Sequence, residues 1–324
     1  MKPLVFVDRR LPEDVKHYLE QHCTIITWKP DEARSEQALL HYLSEAEGYF
    51  TSGSMKINDA LLDAAPKLKV VSSMSVGYNH FDLAAMKARH IIGTHTPYIL
   101  DDTVADLVFG LMLSCSRRIA ELDRYIRNGQ WQGNEGRKLF GLDVHHRKLG
   151  IIGMGRIGEA VAKRALYGFD MKVSYYARSR KPELEQRMDV SYESLDQLLA
   201  SSDFIVLLTP LTPATKGLIG AEQFSRMQQH AIFINASRGA TVDEQALIEA
   251  LQTGKIAGAG LDVFMQEPLP LDHPFMKLDQ VVMTPHIGSA TDATRQQMAM
   301  LAARNLVNAL QGSEDVHIVP ELRQ

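Results

Sequence analysis

The sequence predicts an α/β protein made of two Rossmann-like domains with parallel sheets. Three observations predict it. Apolar runs of strand length alternate with helical patterns along most of the chain, the rhythm of parallel strands joined by crossover helices. A glycine-rich turn, Gly153-Met154-Gly155-Arg156-Ile157-Gly158, stands between one such run and the helix after it. The length of 324 residues accommodates two ordinary domains, each with its own core.

The elements are read in order. Leu4–Val7 reads as a strand and Pro12–Gln21 as a helix; Lys69–Ser72 is a strand, Phe81–Arg89 a helix and Ile91–Thr94 a strand. Asp101, Asp102 and Thr103 offer helix-capping chemistry. Apolar positions then recur through Val104, Leu107, Leu111, Cys115, Ile119, Leu122 and Ile126, predicting one long helix that Asn128-Gly129 ends. Its first half, Val104–Cys115, is apolar on nearly every side, so it is expected inside the fold or against a second subunit. From Lys148 the alternation becomes regular, with strands at Lys148–Ile152, Met171–Tyr176, Phe204–Leu208, Ala231–Asn235, Gly258–Asp262 and Val281–Thr284. Helices are expected at Arg156–Leu166, Ser194–Ala200, Ala221–Met227, Asp243–Leu251 and Ala293–Leu310.

Composition narrows the function. Hydrophobic residues make up 45% and charged residues 23%, with a formal net charge of −4. No basic footprint for nucleic acid or for a polybasic membrane anchor follows from that balance. The two cysteines, Cys23 and Cys115, lie far apart, so neither a disulfide scaffold nor a cysteine zinc site is expected. The first apolar run ends after four residues at Asp8-Arg9-Arg10, which is too short for a signal peptide, and a cytoplasmic protein is expected.

A G-x-G-x-x-G string is weak evidence alone, but here its placement meets a physical requirement. Gly153 permits the tight turn, Gly155 lets the backbone approach a pyrophosphate, and Gly158 lets helix pack on strand. Free N–H groups and the positive end of the helix dipole then meet the anion. A dinucleotide cofactor is expected. The following strand ends Tyr175-Tyr176-Ala177-Arg178-Ser179-Arg180, with no acid at the turn to hold ribose hydroxyls. Arg178, Ser179 and Arg180 suit a 2′-phosphate instead, so NADPH is expected to be preferred, with NADH possible. A solvated basic turn is the plainer reading of the same residues.

Three further segments leave strands on the same sheet edge: Asn235-Ala236-Ser237-Arg238-Gly239, Gly260 to Pro268 with Asp262 and Glu267, and Thr284-Pro285-His286-Ile287-Gly288. An arginine, a glutamate and a histidine thus emerge beside the glycine turn. Singly each has an ordinary structural reading; together they form a catalytic constellation. On these motifs the chain resembles the D-isomer-specific 2-hydroxyacid dehydrogenase family over nearly its whole length, most closely its glyoxylate/hydroxypyruvate reductase branch, which includes 2-ketogluconate reductases.

The resemblance implies a discontinuous substrate domain, 1–98 plus 292–324, and an inserted NAD(P)-binding domain, 99–291, with the active site in the cleft. It implies Arg238, Glu267 and His286 as the catalytic residues. Val76 and Gly77 would offer N–H groups to the substrate carboxylate, together with Arg238 and His286. Thr103, Arg156, Ile157, Ala236, Asp262, His286 and Gly288 would line the cofactor beside the glycine turn and Arg178–Arg180. The expected reaction reduces a small 2-keto acid, with a hydride from the nicotinamide and a proton from His286. Glyoxylate, hydroxypyruvate and 2-ketogluconate share the groups these residues read, and Tyr98 and Leu100 are candidates to face what differs. A homodimer is implied, and Trp131 is expected as a surface anchor. With the chain ending at Gln324, no appended regulatory domain is expected, which makes phosphoglycerate dehydrogenase a weaker alternative. A nicotinamide-sensing corepressor is the non-enzymatic one.

Overall fold

The computed structural model describes residues 2–30, 32–53 and 55–323. The chain divides into two compact units, Met1–Leu100 with Ala290–Gln324, and Asp101–Ser289.

The first unit runs β1 (Leu4–Val7), α1 (Glu13–His22), β2 (Thr24–Thr27), α2 (Glu36–Leu43), β3 (Gly48–Thr51), α3 (Asp59–Asp63), β4 (Val70–Ser73), α4 (Leu83–Ala88) and β5 (Ile92–Thr94). Its strands pair in parallel in the order β2-β1-β3-β4-β5. Strands β3 and β4 are buried throughout, as strands covered on both faces must be, so neither shows alternation. One cover is the last helix of the chain, Asp292–Leu310, which packs on β3, β4 and β5. Gly48 allows that approach, since a Cβ there would stand 3.1 Å from Leu306 Cδ1. The buried Ser72 hydroxyl donates to the Ala302 carbonyl at 2.8 Å. Burial against this sheet therefore draws residues from the chain's end into the first unit.

The second unit runs α5 (Asp101–Ser116), α6 (Ile119–Arg127), β6 (Lys148–Ile152), α7 (Arg156–Phe169), β7 (Lys172–Tyr176), α8 (Pro182–Arg187), β8 (Val190–Tyr192), α9 (Leu195–Ser201) and β9 (Phe204–Leu207). It continues with α10 (Ala221–Arg226), β10 (Ile232–Asn235), α11 (Glu244–Gln252), β11 (Gly258–Leu261) and β12 (Val281–Met283). The order β12-β11-β10-β9-β6-β7-β8 is all parallel and places the reversal of winding between β6 and β9. Both units thus carry doubly wound parallel sheets, as the sequence predicts.

One expectation is corrected. The single long helix from Asp101 is two helices, because Arg118 adopts the left-handed conformation at φ 56°. The cause is tertiary. Leu142 N–H bonds the Ser116 carbonyl at 2.7 Å, and a Cβ on Gly141 would lie 2.2 Å from that oxygen. The returning chain thus occupies the line along which the helix would have continued, and Arg118 turns to bond Glu121 and the Lys138 carbonyl. The apolar first half, α5, packs on β10, β11 and β12, resting on Gly260, whose Cβ would stand 2.9 Å from Leu111 Cβ. It is therefore a core helix of the second unit. The amphipathic second half, α6, buries no residue.

Candidate active site

All the sequence-predicted catalytic side chains of the second unit lie at the carboxyl ends of neighbouring strands. Arg238 follows β10, Asp262 and Glu267 follow β11, and His286 follows β12. Parallel pairing in register brings these ends to one edge, and the glycine turn after β6 opens at that edge too.

The structure joins Glu267 to His286. Glu267 Oε2 lies 2.8 Å from His286 Nδ1, and Glu267 Oε1 accepts the Phe264 N–H at 3.0 Å. Burial raises the Glu267 carboxyl, but the His286 and Phe264 hydrogen bonds and the Arg238 charge outweigh it and hold the group below its ordinary range. The glutamate is thus ionised and fixed at both oxygens. With Nδ1 engaged, the other nitrogen of His286 is the one that can serve a ligand. Its side chain is 46% exposed, so that nitrogen is reachable. Arg238 is half-buried, and that burial lowers its guanidinium while the Glu267 charge opposes the shift. Its Nη1 donates to the Ser237 carbonyl at 2.6 Å.

The loop that carries His286 is braced from below. His286 stands at φ 54°, uncommon for a residue with a side chain. Asp262, buried at the end of β11, takes three hydrogen bonds from this loop: Thr284 Oγ1 at 2.6 Å, Ile287 N–H at 2.8 Å and Gly288 N–H at 2.9 Å. A Cβ on Gly288 would meet Asp262 Oδ2 at 3.2 Å. Asp262 and Gly288, read from the sequence as cofactor-lining, thus have a structural task in the loop. Glu244, a residue not singled out in the sequence, braces the neighbouring excursion. It accepts the Met265 N–H at 3.2 Å and pairs with His273 at 3.1 Å. Its only sequence signal was a helix-start position beside the Asp243 cap.

The glycine turn fits a dinucleotide. Gly153 has φ 104°, and a Cβ there would fall 2.8 Å from the Leu208 carbonyl carbon. A Cβ on Gly158 would lie 2.7 Å from the Gly153 carbonyl oxygen, whereas Gly155 faces open space. Gly155 caps α7, whose first turn holds Arg156 and Ile157. Backbone can therefore approach a pyrophosphate where α7 presents its N–H groups. Arg156 pairs with Asp101 at 3.1 Å, and Thr103 lies in the first turn of α5. Ala236 follows β10 and is partly exposed.

The basic turn after β7 is divided. Arg180 is gripped by Glu185 of α8, with contacts of 2.7 to 3.1 Å. The sequence shows no acid at this turn, but the fold brings one back from the following helix. Arg178 and Ser179 are exposed, and Arg178 bonds no described residue.

In the first unit, Val76 and Gly77 sit in the loop after β4. Ser75 Oγ donates to the Gly77 carbonyl at 2.7 Å, and His95 Nδ1 lies 3.0 Å from the Val76 carbonyl. These contacts use the carbonyls; neither the Val76 nor the Gly77 N–H is donated to a described residue. Of the two specificity candidates, Tyr98 is exposed at φ 73° and Leu100 is buried. No helix among the described residues is long and apolar enough to cross a membrane.

Known proteins resemble this chain throughout. The profile for the D-isomer specific 2-hydroxyacid dehydrogenase NAD binding domain matches residues 109–288. The chain is 49% identical over 321 residues to glyoxylate/hydroxypyruvate reductase B of Citrobacter koseri, covering 98% of each. It is 47% identical to the Escherichia coli K12 protein of the same name, again over 98% of each. A crystal structure of a Thermus thermophilus protein superposes with a TM-score of 0.90 at 41% identity, covering 98% of this chain and 99% of that one. The NADPH-dependent glyoxylate/hydroxypyruvate reductase of Sinorhizobium meliloti, solved with NADP and malonate, gives 0.86 at 29% identity, covering 100% and 99%.

Proposed function

This chain belongs to the D-isomer-specific 2-hydroxyacid dehydrogenase family, and from that premise we propose that it is an NADPH-preferring reductase of small 2-keto acids, with glyoxylate and hydroxypyruvate as the leading substrates and 2-ketogluconate as a further candidate. Its type, an NAD(P)-dependent 2-hydroxyacid oxidoreductase of the glyoxylate/hydroxypyruvate reductase kind, follows from the family and its relatives. The observation that carries the reading is the 2.8 Å pair between Glu267 and His286 beside a half-buried Arg238.

The bound cofactor supplies the hydride. The chain's own residues then bind, polarise and protonate. Arg238, half-buried and cationic, grips the keto acid's carboxylate and polarises its carbonyl. The Val76 and Gly77 N–H groups take the same carboxylate. His286, turned by Glu267 so that Nε2 faces the ligand, gives its proton to the forming alkoxide oxygen. The glutamate holds the imidazole at Nδ1, and Asp262 holds the loop in position. Gly153, Gly155 and Gly158, with Arg156, Ile157, Thr103, Ala236 and Gly288, form the cofactor cradle. Arg178 and Ser179 read a 2′-phosphate; Arg180, already held by Glu185, adds less than the sequence alone suggests.

A homodimer in the cytoplasm completes the reading. Along α6 and the segment after it, Ile119 and Ile126 are each 55% exposed, Trp131 62% and Phe140 65%. A second copy of this chain would cover such an apolar face.

The test is loss of reduced-nicotinamide absorbance with each of the three keto acids, with NADPH and NADH. Turnover with NADPH well above NADH is the expected result. NADH turnover equal to or above it refutes the phosphate reading, and no turnover with either cofactor refutes the reductase.

A further inference from the structure

A cavity of about 410 Å³ opens within the first unit, lined by Arg9, Arg10, Met74, Asp292, Arg295 and Gln296 among others. Three guanidiniums face one carboxylate, an excess of positive charge unusual for a protein with net charge −4. Arg9 and Arg295 are half-buried, and neither side chain bonds or pairs with a described residue.

Other half-buried guanidiniums in the molecule are neutralised. Arg89 meets Asp59 and Asp63, Arg118 meets Glu121, and Arg164 meets Asp102 and Asp106. The remaining one is Arg238, the residue assigned above to an anionic substrate. Two half-buried cations set side by side with no acid paired to either are costly unless an anion joins them. The strain is visible, since burial lowers the Arg295 guanidinium and the like charge of Arg9 lowers it further.

The position is also where this fold takes ligands. In the order β2-β1-β3-β4-β5 the winding reverses between β1 and β3, and doubly wound sheets bind ligands outside the carboxyl ends of strands at such a reversal. Arg9 and Arg10 come after Asp8 in the loop that leaves β1, and Met74 follows β4. Helix α1 and the helix Asp292–Leu310 both begin at the cavity and add their positive ends.

We propose that Arg9, Arg10 and Arg295 form an anion site for a phosphate or carboxylate group other than the keto acid's own carboxylate. The anion is either a free small ion or the far end of a longer substrate, given that Met74 lies two residues before Val76. The second case rests on the reductase reading; the first does not.

Two measurements on the NADPH-saturated protein test it. One is calorimetric titration with inorganic phosphate for the wild type, Arg295→Gln and Arg295→Lys. The other is the ratio of kcat/KM for hydroxypyruvate phosphorylated on its 3-hydroxyl over plain hydroxypyruvate, for the same proteins. Phosphate affinity is expected to fall at least about tenfold in Arg295→Gln and less in Arg295→Lys, as loss of a charge-assisted contact requires. A ratio that falls in parallel assigns the anion to the substrate; an unmoved ratio with lost phosphate affinity assigns it to a free ion. Wild-type and Arg295→Gln proteins alike in both readouts overturn the site. Should Arg295→Gln fail to fold, Arg9→Gln replaces it with the same expectations. Absence of any hydroxypyruvate turnover would strike the reductase reading and leave the calorimetric arm in force.

Discussion

The two sheets share an architecture but differ at their carboxyl edges. In the second unit the edge is braced: Asp262 takes three hydrogen bonds from the His286 loop, and Glu267 is held at both oxygens. In the first unit the edge is open: the Val76 and Gly77 N–H groups and the Arg9 and Arg295 side chains bond no described residue. Groups that must be aimed at a reacting atom are fixed by further hydrogen bonds, whereas groups that bind an anion can keep their donors free for it. The contrast can be broken or sharpened residue by residue.

The largest effect is expected on the braced side. Replacing His286 by Asn removes the proton donor and should lower kcat for keto-acid reduction by about 10²- to 10⁴-fold, the range of general acid–base catalysis. Steady-state rates at saturating cofactor check this. Next comes Asp262→Asn, which exchanges a buried acceptor of three hydrogen bonds for an amide whose nitrogen must face at least one of those donors. A stability loss of about 1–3 kcal/mol is expected by chemical denaturation, together with a fall in kcat larger than any change in KM. Equal stability with unchanged kcat would remove Asp262 as the brace.

At the basic turn after β7, also in the second unit, the effects fall on binding. Arg178→Ala should raise KM for NADPH by about tenfold and leave that for NADH unaltered, since one charge-assisted contact is lost. Arg180→Ala should do less, because Glu185 already occupies that guanidinium. The reverse ranking would mean that Glu185 releases Arg180 to the cofactor.

The same contrast governs what could be read in the sequence. The glycine turn and the Arg238, Glu267 and His286 segments are contiguous strings, and their chemistry demands those residue types at those spacings. The cofactor-edge strands were legible for a related reason, being apolar runs bounded by turns. Strand β3, Gly-Tyr-Phe-Thr, escaped because it is short and covered on both faces, and β2 because it is a partly exposed edge. The break at Arg118 and the grip of Glu185 on Arg180 depend on chain that returns from elsewhere, through Gly141 and α8. No local pattern encodes either. The Arg9–Arg295 cavity joins residues from opposite ends of the chain, which is why only the fold reveals it.

The central claim is that Glu267 and His286 act as one proton-delivering pair. The pH dependence of kcat/KM for hydroxypyruvate reduction, measured for the wild type and Glu267→Gln, tests it most directly. The Glu267 carboxyl, held below its ordinary range, stays ionised as pH falls through the usual glutamate region, so the pair survives there and is lost only below it. Glu267→Gln takes away that ionisable carboxyl, so the acid limb set by its protonation should disappear and the maximal rate should drop. Superimposable profiles for the two proteins would contradict the account.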